Sequence, residues 1–197
     1  KLLFHCHAGC PQSVLLDAFG MTANCEHKPI YTPPTRPKNV VNTTNYAKRI
    51  WDATHPNDLI SWDGAVASHP YGIKKTMTHA WGAARGNVSG RLVGKCADCI
   101  IVPMRTLQGE LAGVECINAD GVKQAFGFKG SLVLGNTLNK TLPILVTEGW
   151  ADGVAAMRLY GNVVALVAFG KGKQNELAAR VAAARPDRHI IVVEDAA

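Results

Sequence analysis

The sequence predicts an α/β protein in which a small mixed α+β subdomain precedes a parallel βαβαβ sheet. Three short apolar runs, at 143–147, 163–169 and 189–193, are rich in Val, Ile and Leu, as strands buried on both faces are. Two stretches between them, at 150–160 and 174–184, are rich in Ala, Leu and Arg with apolar residues at helical spacing. This alternation defines a βαβαβ unit, whose crossovers should be right-handed.

A second group of strands is predicted upstream of this unit. Runs 100–104, 111–117 and 122–128 are predicted to form an antiparallel meander, with a clear hairpin signal at 118–121. A short apolar run at 132–134 then leads into the parallel unit. The meander belongs to the predicted α+β subdomain.

The chain before the meander is predicted to be partly helical. Residues 43–53 have one apolar face and a candidate N-cap, which predicts a helix, and a second short helix is expected near Asn57. Residues 69–72 are predicted to form a turn, and 84–94 a flexible basic loop.

The first forty residues contain a cysteine pair and a proline-rich stretch. Cys6 and Cys10 have the close spacing of one half of a zinc site, for which neighbouring His and Cys residues are candidate further ligands. The alternative is an orphaned half-site without metal. Four prolines within 24–41 predict an extended linker rather than a helix or central strand.

Composition bounds the classes of function. The net charge is +6, and the whole excess lies upstream, with 15 Lys and Arg against 9 Asp and Glu in residues 1–140 but 6 against 6 in residues 141–197. A basic region beside acidic residues suits a polyanionic substrate, although a solvated lysine-rich surface gives the same count. No run approaches the roughly 20 apolar residues that span a bilayer. With no signal-peptide pattern and no initiating Met, we expect an excised piece of a cytoplasmic protein.

Acidic residues follow two strands of the predicted parallel sheet. Glu148 follows the first strand, and Glu194 and Asp195 follow the third. The carboxyl ends of such strands form the ligand crevice of an open α/β sheet. Carboxylates that meet there suit Mg²⁺ or Mn²⁺ and phosphoryl chemistry. The alternative is that each acid only caps the helix that follows.

Two further motifs allow a functional and a structural interpretation. Gly170-Lys171-Gly172-Lys173 opens the second helix of the unit, where free N–H groups and lysines bind phosphate, but it also fits a simple turn. Cys96 and Cys99 have a metal-type spacing, yet they run directly into a strand. Free thiols are therefore preferred to a four-cysteine site with Cys6 and Cys10.

Several motifs, taken in order, resemble one family. Glu148-Gly149 after the first strand and the acid-rich end of the third resemble the Toprim domain of primases, topoisomerases and related nucleases. Four upstream motifs resemble the Toprim primases of phages and conjugative plasmids: His69-Pro70-Tyr71, Ile101-Val102-Pro103-Met104-Arg105, Leu107-Gln108-Gly109-Glu110-Leu111 and Asp120-Gly121-Val122-Lys123. With Cys6 and Cys10, the resemblance touches most of the chain.

The resemblance implies a division of the chain and a set of site residues. The regions are a zinc-finger remnant and helix (1–23), a linker (24–41), a basic primase α+β subdomain (42–140) and a Toprim domain (141–197). The catalytic residues are Glu148 and Asp195, and Mg²⁺ or Mn²⁺ is held by Glu148, Glu194 and Asp195. Nucleotide phosphates are assigned to Lys171, Lys173 and Arg105. Template DNA is assigned to Lys74, Lys75, Arg85, Arg91, Lys123 and Lys129.

The implied function is a DNA primase core that makes short RNA primers on single-stranded DNA by metal-dependent nucleotidyl transfer. Its expected partners are the template strand, ribonucleotides and a replicative helicase, separate or fused, and a phage or plasmid origin is expected. A Toprim nuclease and a degenerate single-strand-binding replication module are the alternatives. One departure favours the last: alignment of the family's Asp-x-Asp motif on Asp195 puts Ala197 at its second aspartate.

Overall fold

A computed structural model describes residues 43–54 and 62–193, all within one compact unit, Val40–Ala197. Its helices are α1 (Thr43–Thr54), α2 (Trp62–Ala67), α3 (Pro70–Lys74), α4 (Trp150–Tyr160) and α5 (Lys171–Ala184). Its strands are β1 (Ala84–Gly90), β2 (Gly94–Arg105), β3 (Leu111–Asn118), β4 (Lys123–Gly127), β5 (Leu132–Leu134), β6 (Ile144–Thr147), β7 (Val164–Val167) and β8 (Ile190–Val192). None of the described helices has the length and apolar character needed to cross a membrane.

Some sequence predictions concern residues outside the described part of the chain. These are the zinc half-site at Cys6 and Cys10, the linker at 24–41, the start of a short helix near Asn57, and the acids Glu194 and Asp195. They stay predictions. The subdomain boundary at 140 is likewise not tested.

The predicted meander is confirmed as part of an antiparallel four-stranded sheet in the order β1-β2-β3-β4. The hairpin between β3 and β4 is closed by Asn118, whose Oδ1 accepts hydrogen bonds from the N–H groups of Asp120 (3.1 Å) and Val122 (2.9 Å). An Asn side chain that mimics a backbone turn in this way is the reason such turns favour this residue.

The predicted loop at 84–94 is wrong in its first half, because Ala84–Gly90 is the edge strand β1. Its sequence lacks a regular apolar pattern, and only Ala84 and Val88 are buried. An ion pair with the neighbouring strand compensates for this weak apolar pattern, since Arg85 donates to Asp98 on β2 through Nε (2.9 Å) and Nη2 (2.6 Å). Strand β1 therefore forms because it pairs with β2, and not because its own residues favour a strand.

The predicted turn at 69–72 is the start of a short helix. His69 is the N-cap of α3, fully buried, and its Nδ1 accepts a hydrogen bond from the Tyr71 N–H (3.2 Å). The proton then lies on Nε2, which is 3.2 Å from the carbonyl oxygen of Asp98. The His-Pro-Tyr motif thus attaches α3 to the antiparallel sheet.

The second sheet has the order β5-β7-β6-β8. Strand β6 pairs in parallel with β7 and with β8, as the sequence predicts. However, β5 pairs antiparallel with β7, so the sheet is mixed rather than parallel. The apolar run at 132–134 is too short to reveal its pairing partner, which lies about thirty residues further along the chain.

Helices α4 and α5 contact different hydrophobic clusters. Trp150 and Val154 of α4 belong to the large cluster that joins this sheet to the antiparallel sheet, whereas Leu177 of α5 belongs to a smaller cluster with Ile144 and Val164. The large cluster lies between the two sheets, and burial there supplies much of the stability of the fold.

One backbone bridge joins the two sheets at the ends of β2 and β5. The N–H groups of Arg105 and Ser131 each donate to the other's carbonyl oxygen, at 2.8 and 2.9 Å. The neighbouring Gly130 lies so close that a side-chain methyl would overlap the Arg105 carbonyl oxygen and lie 2.7 Å from its carbonyl carbon. The glycine therefore permits the close backbone approach at this joint.

Candidate functional site

The candidate site is a crevice between the carboxyl ends of β6 and β7 and the antiparallel sheet. The loops that leave these two strands are held together, because the Ala168 N–H donates to Thr147 O (2.9 Å) and the Gly170 N–H donates to Glu148 O (3.2 Å). Phe169 has φ +55°, an uncommon backbone conformation for a residue other than glycine. Such backbone strain clusters at functional sites.

Two acidic residues follow β6, Glu148 in the loop and Asp152 in the first turn of α4. Glu148 comes directly after the strand, as the sequence predicts, and is partly exposed. Asp152, one turn further on, accepts a hydrogen bond from the Gly149 N–H through Oδ2 (3.2 Å). Asp152 therefore caps the first turn of α4, which leaves the Glu148 carboxylate as the acid with no capping role.

Two lysines of the antiparallel sheet reach these loops. Lys123, on β4, places its Nζ 3.5 Å from the position that a Gly149 side-chain methyl would occupy. Lys129, just after β4, donates a hydrogen bond from Nζ to Phe169 O (2.9 Å). The two sheets thus bring opposite charges together, with lysines from one and carboxylates from the other.

A third carboxyl, Glu115 on β3, is also part of the crevice. It is paired with Val102 and therefore faces the second sheet, and its Oε2 is buried without a hydrogen-bond partner among the described residues. Burial raises its pKa, Lys123 and Lys129 oppose that rise, and the negative charge of Asp152 adds to it. Glu115 is not among the site residues predicted from the sequence, although a single acid within an apolar strand is the signal that points to it.

Tyr71 lies at the same crevice. Its phenol pKa is raised above the ordinary value, first by burial and then by the negative charges of Asp152 and Glu115. A methyl group at Gly121 would lie 3.2 Å from the Tyr71 ring, so the turn between β3 and β4 packs directly on it. The His-Pro-Tyr motif therefore also shapes one wall of the site.

Three of the predicted phosphate and DNA ligands line one pocket of about 600 Å³ beside the crevice. They are Arg105, Lys129 and Lys173, and Arg180 of α5 joins them. Lys171 is exposed in the first turn of α5 and is not among the residues that line the pocket.

Other predicted DNA ligands lie elsewhere. Lys74 and Lys75 are exposed at the end of α3, and Arg91 is exposed in the turn between β1 and β2. Arg85 is engaged with Asp98, and that ion pair lowers the pKa of the Asp98 carboxyl below its usual range. The structure thus uses Arg85 to hold the edge strand.

The described residues contain no complete metal site. Within 43–54 and 62–193, no group of three or more His, Cys, Asp or Glu is placed to hold a metal ion. The Cys96–Cys99 pair is divided, because Cys96 is exposed while Cys99 is buried, with a pKa raised to about 11 by burial. Both are free thiols, and protonation disfavours Cys99 as a metal ligand.

The chain matches no protein-family model and no curated protein. Among solved structures it is similar to a phage primase fragment. That structure is the primase fragment of the bacteriophage T7 primase-helicase protein, at 20% sequence identity and a TM-score of 0.44. The similarity covers 60% of this chain and 49% of that one, so the match spans about half the length of that structure.

Proposed function

We propose that the protein is the core of a Toprim DNA primase of phage or plasmid type, which makes short RNA primers on single-stranded DNA. The observation that carries the proposal is the crevice in which Lys123 lies beside Gly149, between Glu148 and Asp152, and Lys129 contacts Phe169 O in the adjacent loop. Nucleotidyl transfer needs carboxylates that hold metal ions and cations that bind the polyanionic triphosphate. Carboxylates opposite lysines supply both kinds of group.

The acids are proposed to hold Mg²⁺ or Mn²⁺. Glu148 supplies an oxygen ligand of the hard type that these ions prefer, and Glu194 and Asp195 are proposed to complete the set. The bound metal would activate the attacking 3′-hydroxyl and neutralise the leaving pyrophosphate. Glu148 acts either as a metal ligand or as the acceptor of the hydroxyl proton.

The lysines are proposed to hold the phosphates of the incoming ribonucleotide. Lys123 is exposed at the edge of the crevice, so its ammonium group is accessible to a ligand. Lys129 is fixed by its hydrogen bond to Phe169 O and retains two further donors. Fixed positive charge near the leaving group stabilises the transition state more than the ground state.

Two further partners belong to the proposal. Cys6 and Cys10 are proposed to contribute to a zinc site that biases where primers start, and a replicative helicase is proposed to act with the primase. Zinc content by mass spectrometry, with and without Cys6→Ser, tests the first of these independently of activity.

The experiment is primer synthesis on single-stranded DNA with labelled ribonucleotides and Mg²⁺ or Mn²⁺. We expect Glu148→Gln to reduce the rate by on the order of 100-fold or more, since it removes a charged group at the reacting centre. Glu110→Gln, an exposed acid in the β2–β3 turn, is the matched control and should leave the rate unchanged. Ala197→Asp restores the second aspartate of the motif and should increase the rate.

Each alternative gives a different result. Metal-dependent cutting of DNA without primer formation would indicate a Toprim nuclease. Binding of single strands without either activity, even after Ala197→Asp, would indicate a replication module that no longer catalyses the reaction. Equal activity of Glu148→Gln and the parent chain would rule out the proposed site.

A further inference from the structure

The basic pocket beside the crevice is larger and more varied in chemistry than a phosphate site requires. It lies between the β2–β3 turn, the segment after β4 and the face of α5 that carries Lys173, Leu177 and Arg180, and its volume is about 600 Å³. Pockets of this size enclose a small molecule or a nucleotide-sized part of a longer ligand. Its lining combines four cations with apolar and aromatic side chains.

The charge of the lining favours an anionic ligand. Arg105, Lys129, Lys173 and Arg180 face one acid, Glu176, which lies 4.0 Å from Arg180 in an exposed and therefore weak ion pair. Arg105 donates from Nη1 to Gly109 O (2.9 Å), which holds the β2–β3 turn and leaves other guanidinium donors available. These cations come from three separate segments of the chain. Such an arrangement suits an extended polyanionic ligand better than a single phosphate group.

Among the described residues that line the pocket, one is aromatic, Phe128. Its backbone is fixed, because the Phe128 N–H donates to Ala112 O (2.9 Å), yet its side chain is 68% exposed. An immobilised backbone with an exposed ring next to Lys129 is an arrangement suited to stacking a nucleic-acid base. A duplex, whose bases are already stacked and paired, has no base free for such a ring.

We infer that this pocket is a binding subsite for single-stranded nucleic acid, in which a base stacks on Phe128 and backbone phosphates contact Lys173 and Arg180. Lys129 belongs to both regions, since it lines the pocket and its Nζ contacts Phe169 O at the crevice. A strand bound in the pocket is thereby led towards Glu148. The binding subsite stands without catalysis, but its use for the template rests on the proposed function.

The test is the affinity for a short fluorescein-labelled oligothymidylate, measured by fluorescence anisotropy without nucleotides or metal. We expect Phe128→Ala to weaken binding by on the order of 10-fold, the usual effect of losing one stacked base. Phe128→Trp should restore it. Tyr160→Ala is the matched control, because Tyr160 is similarly exposed (65%) at the end of α4 and should leave the affinity unchanged.

The contribution of the cations is measured by salt dependence. Arg180→Ala should reduce the slope of log affinity against log salt by about 0.7, the share of one phosphate contact on a single strand. Lys140→Ala, an exposed lysine in the segment between β5 and β6, should leave the slope unchanged. A labelled duplex of the same length should bind more weakly and be insensitive to Phe128→Ala.

Three outcomes would overturn the inference: no binding of single strands by the parent chain, equal affinity of Phe128→Ala and the parent, or equal losses in Phe128→Ala and Tyr160→Ala. Far-ultraviolet circular dichroism confirms that each variant is folded. Because no step requires catalysis, failed primer synthesis with the expected binding changes would reject the proposed function and leave the subsite established.

Discussion

The two sheets contribute to the same crevice in different ways. The antiparallel sheet β1–β4 places its charged residues within the strands and directly after them, as Glu115, Lys123 and Lys129 show. The mixed sheet β5–β8 keeps every residue of β6 and β7 buried and places its acids in the loop beyond the strand end. The antiparallel sheet therefore contributes charged residues from a strand face, whereas the mixed sheet contributes them only beyond its strand ends.

The difference follows from how each sheet is covered. A parallel pair with helices on both sides has no solvated face, so polar groups are confined to its ends. The antiparallel sheet is also covered on both faces, by the large cluster and by a second cluster that includes Ala47 of α1 and Ile101, but its outer strand β4 keeps Lys123 at an exposed position. The lesson is that a charged crevice needs both architectures, and that their relative placement decides which charges meet.

The largest expected effect is a loss of stability when the backbone bridge between the two sheets is disturbed. Gly130→Ala places a methyl group against the backbone of Arg105, so one of the sheets must shift. We expect a loss of about 3 kcal/mol in the free energy of unfolding, at the upper end for overpacking. Urea denaturation measures it.

The matched control for this change is Gly172→Ala. Its methyl group would have no atom within 4 Å, and it lies in the first turn of α5. We expect it to stabilise the protein by roughly 0.5–1 kcal/mol, since Ala has a better helix propensity than Gly. Equal effects of the two variants would mean that the joint at Gly130 does not constrain the fold.

The next effect concerns the charges that the antiparallel sheet contributes. Lys123→Ala removes the ammonium group nearest to Gly149, and we expect primer synthesis to fall by on the order of 100-fold while the protein stays folded. Lys123→Arg should recover part of the rate because it keeps the charge. The control is Lys95→Ala, an exposed lysine on β2. A comparable loss in Lys95→Ala would show that the effect comes from the overall charge of the protein and not from the position of Lys123.

A smaller effect is expected within the mixed sheet, where Gln174 joins two strands. Its buried side-chain amide donates to Val146 O (2.8 Å) on β6 and to Val193 O (2.6 Å) after β8. Gln174→Leu leaves these carbonyl groups with fewer partners, and a loss of about 1–3 kcal/mol in the free energy of unfolding is expected. Asn175→Leu, exposed on the same helix, should change stability little. If the two variants unfold at the same urea concentration, the amide does not hold β8.

Sequence reasoning located the parts of the fold that local patterns determine. The buried runs at β6 and β7 and the Asn118 turn are encoded within a few residues, so composition and turn chemistry reveal them. Strand β1 depends on an ion pair with Asp98, thirteen residues away, and β5 on pairing with β7. Such long-range partners leave no local signal.

The same limit applies to the candidate site. Glu148 and the lysines were predicted because their positions follow strand ends or charged motifs. The approach of Lys123 to Gly149 depends on how the two sheets are joined at Arg105 and Ser131, which no residue spacing reports. The sequence marks Glu115 as an unusual acid in an apolar strand, but only the tertiary structure shows which charged groups surround it.

The smallest expected effect tests whether Glu115 belongs to the crevice electrostatically. Its pKa in the folded protein is raised above the ordinary value of 4.5, mainly by burial. The folded state therefore binds a proton more tightly than the unfolded state, and the stability of the protein falls as pH rises from below 4.5 through the raised pKa. Glu115→Gln removes this titration, so its stability should decline less as the pH rises from below 4.5 through the raised pKa.

The groups that face Glu115 decide the size of this effect. Lys123 and Lys129 stabilise the ionised Glu115 and lower its pKa, whereas the negative charge of Asp152 raises it. Tyr71 lies in the same surroundings. We therefore expect a smaller change than for Gln174→Leu, and a steeper decline with pH when Lys123→Ala removes one compensating charge. Urea denaturation across this pH range measures both, with exposed Glu110→Gln as control. Parallel pH profiles for Glu115→Gln and the parent chain would show that this carboxyl titrates at its ordinary pKa, so that Glu115 is paired or solvated and does not belong to the crevice electrostatically.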